Sequence, residues 1–390
     1  MSLTRREFIH KGAVAAASSS LIVTIGHKAF AQRGDIKCAV IGLGRGRGTH
    51  LRNILKLDFT AVTAICDIKE DRLNSAAEMV KKANRPQDNP VKYRNYEDVV
   101  SSDNVDVVFI ATPCDLHFQM IFAALKEGKS IYAEKPMATT VTDVNEIVRQ
   151  ARKSKGILQV GQQSRYSPSN QKAVSMIHNG KIGKVALINY QRFTAAQGYI
   201  APEQTWIRSI ERGGDIIVEQ AVHELDRFNW IMDAHPLRAA GLGGQCVWFD
   251  PEGSENSDQY AVAFEYPGKS HVFYSHCWHA LDGVDPDKNV VYGTEKVWDM
   301  GNNKIYTRVP RGQKMPEPEI FDPGPKVDST IECTMQFFEC YREGKQPFVD
   351  AEIGRTTVLT ALLGRKAFYE KRCVTWEDLL REGAPQKIWD

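Results

Sequence analysis

The sequence predicts an α/β protein of two domains, the first of which is a doubly wound parallel sheet. Three observations lead to this fold class. The chain has 390 residues, which is too long for one ordinary domain. Apolar strand-like runs alternate with amphipathic helical stretches up to about residue 160. From Lys184 onward the chain carries a series of extended runs, with helical segments near its C-terminal end.

Composition argues against several classes of protein. The charged fraction is 25% and the formal net charge is +2, so neither nucleic acid nor an anionic membrane is indicated as a partner. The sequence contains no run of about 18 apolar residues, so we expect no multi-pass membrane protein. The eight cysteines form no C-x-x-C pair and no zinc-like cluster. His276 and His279 project to opposite faces if they lie on a strand, so no metal site is predicted.

The first 31 residues carry the three parts of an export signal in order. Arg5 and Arg6 form a twin-arginine pair, an uncharged stretch runs from Gly12 to Gly26, and Ala29-Phe-Ala31 offers a signal-peptidase site. We therefore expect a Tat signal peptide over residues 1–31, the Tat export machinery as a partner and the periplasm as the location. The alternative is a basic N-terminal helix on a cytosolic enzyme.

A glycine-rich loop follows the first predicted strand after this leader. The strand Ile36–Ile41 runs into Gly42-Leu-Gly44-Arg45-Gly46-Arg47-Gly48, and an amphipathic helical stretch follows. Backbone N–H groups in such a loop, together with the helix N-terminus, can hold a pyrophosphate, and Arg45 or Arg47 is expected to contact a phosphate. Arg47 stands where G-x-G-x-x-G requires its third glycine, and glycine runs also occur in plain turns.

Asp67 ends the second predicted strand, Ala61–Cys66, 25 residues after Gly42. A carboxylate at this point accepts hydrogen bonds from the ribose hydroxyls of adenosine and repels a 2′-phosphate. The position therefore favours NAD as the cofactor over NADP. The alternative is that Asp67 only caps the helix that follows it.

The alternation continues through the rest of the first domain, which we place at residues 36–160. A buried-type strand, Val105–Ile110, ends at Ala111-Thr112-Pro113, and further strands are expected at Ser130–Ala133 and Ile157–Val160 with helices between them. Repeats at this spacing imply a parallel sheet with its ligand at the carboxyl ends of the strands.

The second domain is placed at residues 161–388. Its extended runs are rich in β-branched and aromatic residues and are separated by Gly, Pro, Asp or Asn. They cover residues 185–193, 245–249, 259–266, 271–277 and 289–298, and helices are expected at about 329–343 and 353–370.

In these motifs the chain resembles the Gfo/Idh/MocA family of oxidoreductases. The matching segments are Val40-Ile-Gly-Leu-Gly44, Ala111-Thr-Pro113 with His117, Glu134-Lys-Pro136, Gly161-Gln-Gln-Ser-Arg-Tyr166, Gly183-Lys-Val185 and Gly213-Gly-Asp-Ile-Ile-Val-Glu-Gln-Ala-Val-His-Glu-Leu-Asp226. The resemblance implies an N-terminal Rossmann dinucleotide-binding domain and a C-terminal α/β domain with an open, mostly antiparallel sheet. It also implies NAD(P) in the cleft and a homodimer or homotetramer formed through that sheet.

The resemblance assigns one group of residues to the cofactor. The group comprises the loop glycines Gly42, Gly44 and Gly46 with Arg45 and Asp67, and then Thr112, Pro113, His117, Glu134 and Lys135. Lys135 is also expected to point into the cleft, where its ammonium would donate to the substrate oxygen and stabilise developing negative charge. Outside such a motif, a lysine at the end of a strand is usually solvated surface.

His223 corresponds to the general base of the family's dehydrogenases, which takes the hydroxyl proton. The family pattern has an aspartate four residues earlier, whereas this chain has Glu219, which is one methylene longer. If this segment is helical, both side chains face the same way. The alternative is a histidine that packs between helices beside a surface glutamate.

Four further residues are candidates for contact with the substrate. Arg165 and Tyr166 follow the last strand of the first domain and are expected to line the cleft between the domains. Trp206 and Arg208 lie in a loop, where an indole can stack on a sugar ring and a guanidinium can hydrogen-bond it. Core packing is the alternative for Trp206.

Three functions fit these features. The first is a periplasmic oxidoreductase that transfers hydride between a tightly bound NAD and a hydroxyl of a sugar or glycoside. The second is an NAD-dependent glycoside hydrolase or lyase that oxidises its substrate transiently, eliminates, and restores the cofactor. The third is a sensor or scaffold without chemistry, against which the pairing of Lys135 with His223 argues. We favour the first, because the histidine motif differs from that of Tat-exported N-acetylgalactosaminidases.

Overall fold

The structure is a computed structural model that describes residues 35–44, 47–194, 206–246, 255–279 and 289–382. The predictions made for residues 1–31, Arg45 and Gly46 lie outside these ranges. Among the helices of the described ranges, none is both long and apolar enough to cross a membrane.

Six parallel strands and five helices form the first domain. The strands are β1 (Ile36–Ile41), β2 (Thr60–Cys66), β3 (Val91–Tyr93), β4 (Val107–Ile110), β5 (Ser130–Ala133) and β6 (Leu158–Val160), and the helices are α1 (Arg47–Ile54), α2 (Glu70–Ala83), α3 (Tyr96–Val100), α4 (His117–Lys126) and α5 (Val141–Ala151). The strand order is β3-β2-β1-β4-β5-β6. Every residue of β2, β4 and β5 is buried, as in parallel sheets covered on both faces. This confirms the predicted doubly wound sheet.

The strand order reverses at β1, which lies between β2 and β4. Connections leave a sheet in opposite directions at such a point, so a crevice opens beyond the carboxyl ends of the strands. Gly42 and Ala111 begin the loops that follow β1 and β4. Both loops therefore lie at the edge where this fold binds ligands.

Nine strands form a second, mixed sheet. They are β7 (Val185–Phe193), β8 (Arg238–Gly244), β9 (Gln259–Tyr266), β10 (Ser270–Cys277), β11 (Val290–Gly293), β12 (Lys296–Asp299), β13 (Lys304–Thr307), β14 (Glu319–Ile320) and β15 (Val374–Thr375). The order is β14-β13-β12-β11-β7-β10-β9-β8-β15, and only the β7–β10 pair is parallel. The mostly antiparallel sheet is confirmed.

Helices pack on one face of this second sheet. The helices of this half are α6 (Pro168–His178), α7 (Ile210–Gly213), α8 (Ile216–Glu219), α9 (Val222–Met232), α10 (Ser329–Glu343), α11 (Ala351–Tyr369) and α12 (Trp376–Glu382). Phe228 of α9 packs edge-on to Tyr190 of β7, with 5.3 Å between ring centroids. The opposite face carries exposed apolar side chains, of which Leu242 is 70% exposed and Phe273 47%.

Helix α10 belongs to the second half of the chain but packs against the first sheet. Phe338 lies edge-on to Phe59, with 5.6 Å between centroids, and Phe337 meets Phe109 at 5.8 Å. The hydroxyl of Tyr132 in β5 donates to Cys333 Sγ at 3.2 Å. The core of the first domain is therefore completed by a segment far along the chain.

Candidate active site

The glycine loop after β1 lies directly against the loop after β4. Gly42 has a φ of 89°, and a Cβ there would lie 2.5 Å from the carbonyl oxygen of Ala111 and 2.9 Å from Thr112 Cγ2. Both the positive φ and the lack of space exclude a side chain, so glycine is required at this position. The result is a narrow backbone cradle that brings Thr112 and Pro113 next to the glycine loop.

The carboxylate of Asp67 fixes this cradle from β2. Its Oδ2 accepts a hydrogen bond from Leu43 N at 2.8 Å, and its Oδ1 accepts one from Lys69 N at 2.9 Å. Arg72 Nη1 lies 3.7 Å from Oδ2. Asp67 thus supports both the glycine loop and the turn before α2. It does not cap that helix, because the N-cap position is Lys69 and no side chain caps it. Its contact with a ribose stays a prediction.

These features fit the dinucleotide that the sequence predicts. The cradle has no side chain at Gly42, and the backbone amide after it is held in place by a buried carboxylate. Helix α1 begins at Arg47, a few residues beyond the cradle. A pyrophosphate binds to such an arrangement through backbone N–H groups and the helix dipole.

Glu134 follows β5 and is held by two side chains. His50 of α1 contacts Glu134 Oε1 through Nε2 at 2.7 Å, and Gln163 Nε2 donates to the same oxygen at 3.0 Å. Burial acts to raise the pKa of Glu134, but the His50 hydrogen bond and charge, with Lys135, lower it to about 2. Glu134 is therefore a fixed anion at the mouth of the cradle. Sequence reasoning missed His50, which shows only as a polar residue within an apolar helical stretch.

His117 is buried, and both of its ring nitrogens face backbone carbonyl oxygens. Nδ1 lies 2.7 Å from Pro136 O, and Nε2 lies 2.9 Å from Thr112 O. Burial lowers the pKa of this ring, although the two carbonyls act to raise it. His117 links the loops after β4 and β5, so the structure gives it a positioning role in place of the predicted direct contact with the cofactor.

Lys135 is held by Glu219 across the two domains. Lys135 Nζ donates to Glu219 Oε1 at 2.9 Å and to the carbonyl oxygen of Glu219 at 2.5 Å. The other carboxylate oxygen of Glu219 accepts from Gln220 Nε2. Both ion-pair side chains are nearly buried, at 12% and 9% exposure. The longer glutamate side chain therefore positions the lysine ammonium at the carboxyl end of β5.

His223 belongs to the same cluster, although a break separates it from Glu219. Helix α8 ends at Glu219 and α9 begins at Val222, so the two residues are not on one continuous helix. Burial, together with the charges of Lys135 and Arg192, lowers the pKa of His223 to about 3, although the charge of Glu134 acts to raise it. The ring is therefore neutral at physiological pH and can accept a proton.

A second layer of polar residues supports this cluster from β7 and α9. Arg192 Nη1 donates to Glu224 Oε1 at 2.7 Å, and its Nη2 donates to Gln220 Oε1 at 3.3 Å. Asp215 caps α8 with a φ of 75° and accepts from Ser257 N at 3.0 Å. None of these residues was predicted to belong to the site. Asp215, Gln220 and Glu224 lie within the histidine-bearing motif, whereas Arg192 carries no local signal in the sequence.

Arg165 and Tyr166 do not line the cleft as predicted. Arg165 donates to both oxygens of Asp226, from Nε at 2.8 Å and from Nη2 at 2.9 Å. Tyr166 is 1% exposed, and its hydroxyl accepts from Val349 N at 3.3 Å. The short 3₁₀ turn at Gln163–Tyr166 directs both side chains inward, where they join α9 and the loop before α11. These two residues therefore attach the turn after β6 to α9 and to the loop before α11.

Trp206 and Arg208 form a short helical turn before α7. The indole of Trp206 is half-buried against the hydrophobic core. The carbonyl oxygen of Arg208 accepts from Glu255 N at 3.0 Å. Core packing thus explains the position of the Trp206 indole. Contact of either side chain with a substrate stays a prediction.

Comparison with known families matches both parts of this arrangement. Residues 36–162 match the oxidoreductase family with an NAD-binding Rossmann fold. Residues 170–298 match the GFO/IDH/MocA C-terminal domain. The two matches include the glycine cradle, Lys135, Glu219 and His223.

Individual proteins show the same relationship. The chain is 25% identical over 359 residues to myo-inositol 2-dehydrogenase of Thermotoga maritima, covering 88% of this chain and 100% of that protein. It is 30% identical over 161 residues to a glycosyl hydrolase family 109 protein of Saccharopolyspora erythraea, covering 40% of this chain and 35% of that protein. Its fold matches levoglucosan dehydrogenase in complex with NADH and levoglucosan with a TM-score of 0.74 at 15% identity, covering 87% and 99% of the two chains.

Proposed function

The chain belongs to the Gfo/Idh/MocA family of NAD-dependent oxidoreductases, and on that basis we propose that it oxidises a hydroxyl of a sugar or cyclic polyol. One observation carries the proposal: the ammonium of Lys135 is fixed by Glu219 at the carboxyl end of β5, beside a neutral His223. Relatives named for inositol and for levoglucosan support this substrate class.

Lys135 and His223 have different roles toward the same hydroxyl group of the substrate. Lys135, oriented by Glu219, donates a hydrogen bond to the substrate oxygen and stabilises the negative charge that develops there. His223 accepts the hydroxyl proton on its neutral ring. When bound, NAD supplies the acceptor for the hydride that leaves the substrate carbon. Gly42, Gly44 and Asp67 would hold the dinucleotide, and Thr112, Pro113 and Glu134 would contact it.

We extend the proposal to the cellular setting predicted by residues 1–31. A Tat leader carries folded proteins, so the enzyme would take up NAD in the cytoplasm and keep it in the periplasm. Slow release of the nucleotide is then required, since the periplasm offers no dependable supply. Denaturing the purified protein should release NAD in near-equal amount to the chain. A preparation that is empty and binds NAD weakly contradicts tight binding.

The location is tested separately from the chemistry. Replacing Arg5 and Arg6 with lysine keeps the charge but removes the twin-arginine pair. The variant should accumulate in the cytoplasm, whereas the wild type should appear in the periplasmic fraction. Identical distribution of the two would argue against a Tat signal without affecting the proposed activity.

The activity is tested on purified protein with a panel of inositols, free sugars and methyl glycosides. Reduction of bound NAD, followed by absorbance, should accompany a product that has lost two hydrogens by mass spectrometry. Lys135→Ala should abolish most of both signals. Absence of nucleotide reduction with every member of the panel would overturn the proposal.

The similarity to a glycosyl hydrolase family 109 protein supports a second candidate, transient oxidation followed by cleavage of a glycosidic bond. The same panel separates the two. A glycosidase or lyase yields a released aglycone with no net change in bound NAD, whereas a dehydrogenase yields an oxidised glycoside with the bond intact.

A further inference from the structure

A pocket of about 210 Å³ lies in the second domain, away from the glycine cradle. It is formed where α6, β7 and α9 meet the β12–β13 edge of the second sheet. The residues that matter to its chemistry are Ser169, Asn170, Tyr190, Arg227, Trp298 and Asn303.

Arg227 supplies a positive charge to this pocket. Its guanidinium carbon lies 4.8 Å from the centroid of the Tyr190 ring. Its Nε and Nη2 are buried and have no acceptor in the described part of the chain. Arg165 shows what this edge of a guanidinium binds, since its Nε and Nη2 hold both oxygens of Asp226. A buried guanidinium edge without an acceptor is costly, and a carboxylate is the group whose geometry matches it. Because Nε and Nη2 are closed to solvent, the Arg227 side chain must turn for this edge to meet a ligand in the pocket.

The other lining residues do not neutralise this charge. In the described part of the chain the lining includes amides, hydroxyls and aromatic rings but no carboxylate. One uncompensated cation matches one negative charge, which favours a carboxylate over a phosphate of higher charge. The amide side chains of Asn170 and Asn303 can hydrogen-bond hydroxyl groups on the same ligand.

The pocket lies next to the catalytic cluster along α9 and β7, although Lys135, Glu219 and His223 do not line it. Arg227 follows His223 by four residues on α9, so the two share a face of the helix about one turn, ~5.4 Å, apart. Tyr190 precedes Arg192 by two residues on β7 and so shares its face of the strand. A sugar ring whose hydroxyl reaches His223 is wide enough to bring a substituent toward Arg227.

We propose that the pocket binds the carboxylate of an acidic sugar, so that the substrate of the proposed reaction is a uronate-type glycoside. This inference rests on the proposed function. The binding experiment below needs no turnover, so the inference can fail while the oxidation of sugars stands, and the reverse can also occur.

Isothermal titration of the purified protein, with its bound cofactor reduced to NADH so that binding is not followed by oxidation, tests the proposal with three probes: methyl β-D-glucuronide, methyl β-D-glucoside and glucose 6-phosphate. The glucuronide should bind at least about tenfold more tightly than the glucoside. In Arg227→Met, which keeps the aliphatic stem, this ratio should fall to near one. The control is Lys172→Met, because Lys172 is an exposed cation of α6 that pairs with Asp322 and does not line the pocket. It should keep the wild-type ratio.

Single-turnover reduction of bound NAD in the same proteins gives a second readout. The ratio of the second-order rate constants for glucuronide over glucoside should fall in Arg227→Met and stay unchanged in Lys172→Met. Equal binding of glucuronide and glucoside by the wild type would overturn the proposal, as would a preference that survives Arg227→Met. Tighter binding of glucose 6-phosphate than of the glucuronide would overturn the choice of a carboxylate.

Discussion

Lys135 and Glu219 are 84 residues apart in the chain and meet in one ion pair. The glutamate replaces the shorter aspartate of the family pattern, and its carboxylate contacts both Lys135 and Gln220. A free lysine side chain has many rotamers. Holding it in one position before the substrate binds lowers the conformational entropy that binding must otherwise remove. The extra methylene of Glu219, compared with aspartate, therefore still allows its carboxylate to position the ammonium of Lys135.

The role of His223 gives a direct prediction. His223→Ala should lower turnover by about a hundredfold or more while the protein keeps its NAD, because the hydroxyl proton loses its acceptor. Combining it with Lys135→Ala should cost less than the sum of the single effects, since both residues act on one oxygen. Single-turnover absorbance of bound NAD provides the measurement.

The control for this prediction is His178→Ala, which removes an exposed histidine of α6. It should leave turnover unchanged. Normal turnover in His223→Ala, with folding and NAD content intact, would remove this histidine from the mechanism.

The environment of His223 also predicts a pH profile. Burial and the charges of Lys135 and Arg192 lower its pKa to about 3, so the ring stays neutral throughout mildly acidic solution. The value of kcat/KM should therefore stay level from about pH 7.5 to about pH 5, whereas a histidine with the ordinary pKa of about 6.5 would lose activity over this range. A fall in kcat/KM as the pH drops through about 6.5 would show that His223 does not have this lowered pKa in the free enzyme.

Residue positions at strand ends could be predicted from the sequence, but side-chain directions could not. Lys135 and Glu134 lie at the edge of the sheet because a buried strand precedes them. Arg165 also follows a strand, yet it turns inward to meet Asp226, 61 residues further along. A partner so distant in the chain leaves no local pattern.

At the scale of elements, Asp67 connects the end of β2 to the loop after β1. Asp67→Ala should weaken NAD binding and raise tolerance of NADP, because it removes both the predicted ribose acceptor and the hydrogen bond to Leu43 N. Asp67→Asn is the matched variant, since its remaining oxygen can still accept one backbone N–H. Titration of both cofactors gives the measurement, and unchanged affinity for both would leave Asp67 with only its role at the start of α2.

The sequence predicted most strands because β-branched and aromatic residues mark them. Predicted and observed bounds coincide for β7 and β9. The run 289–298 divides into β11 and β12. Strand β8, Arg238–Gly244, lies in a glycine-rich segment and was not predicted, and most of the run expected at 245–249 lies outside the described residues. A Cβ on Gly243 would lie 2.7 Å from Tyr260 Cβ, so close packing selects glycine there against its low strand propensity.

For the whole molecule, the buried His117 and His276 and the partly buried His223 predict acid sensitivity. Burial lowers the pKa of His117, of His223 and of His276. In the unfolded chain these rings take up protons below about pH 6.5, so stability is complete above that pH and is lost as the pH falls toward the folded pKa values. Each ring contributes about 1.4 kcal/mol per pH unit within its window.

This prediction is measured as the change in free energy of unfolding between about pH 7 and about pH 5.5. His276→Gln removes one titrating ring while keeping an acceptor for Tyr260, which contacts Nδ1 at 2.9 Å. The change in the free energy of unfolding of this variant between the two pH values should be smaller than that of the wild type by the contribution of one histidine ring. His178→Gln, at an exposed position, should behave as the wild type, and equal slopes for all three proteins would contradict the prediction.

The open face of the second sheet leads to a prediction about assembly. Leu242 and Phe273 are exposed there, and we expect this face to form a homodimer or homotetramer. Leu242→Glu with Phe273→Glu should lower the mass measured by light scattering toward that of a monomer. Met315→Glu, at an exposed apolar residue outside the sheet strands, is the control. A wild type that is monomeric at all concentrations would rule out assembly through this face.

The return of α10 to the first sheet has a consequence for engineering the protein. Phe337, Phe338 and Cys333 fill space beside Phe59, Phe109 and Tyr132, so the nucleotide-binding half is not encoded by one continuous stretch. A chimera spliced at residue 160 would carry an apolar surface that its new partner does not cover. Exchange of domains between relatives therefore requires three crossover points, one before β7 and one on each side of Ser329–Glu343, so that this helix moves together with the N-terminal segment. The same discontinuity means that a ribosome must have released residue 343 before this half can close its own core.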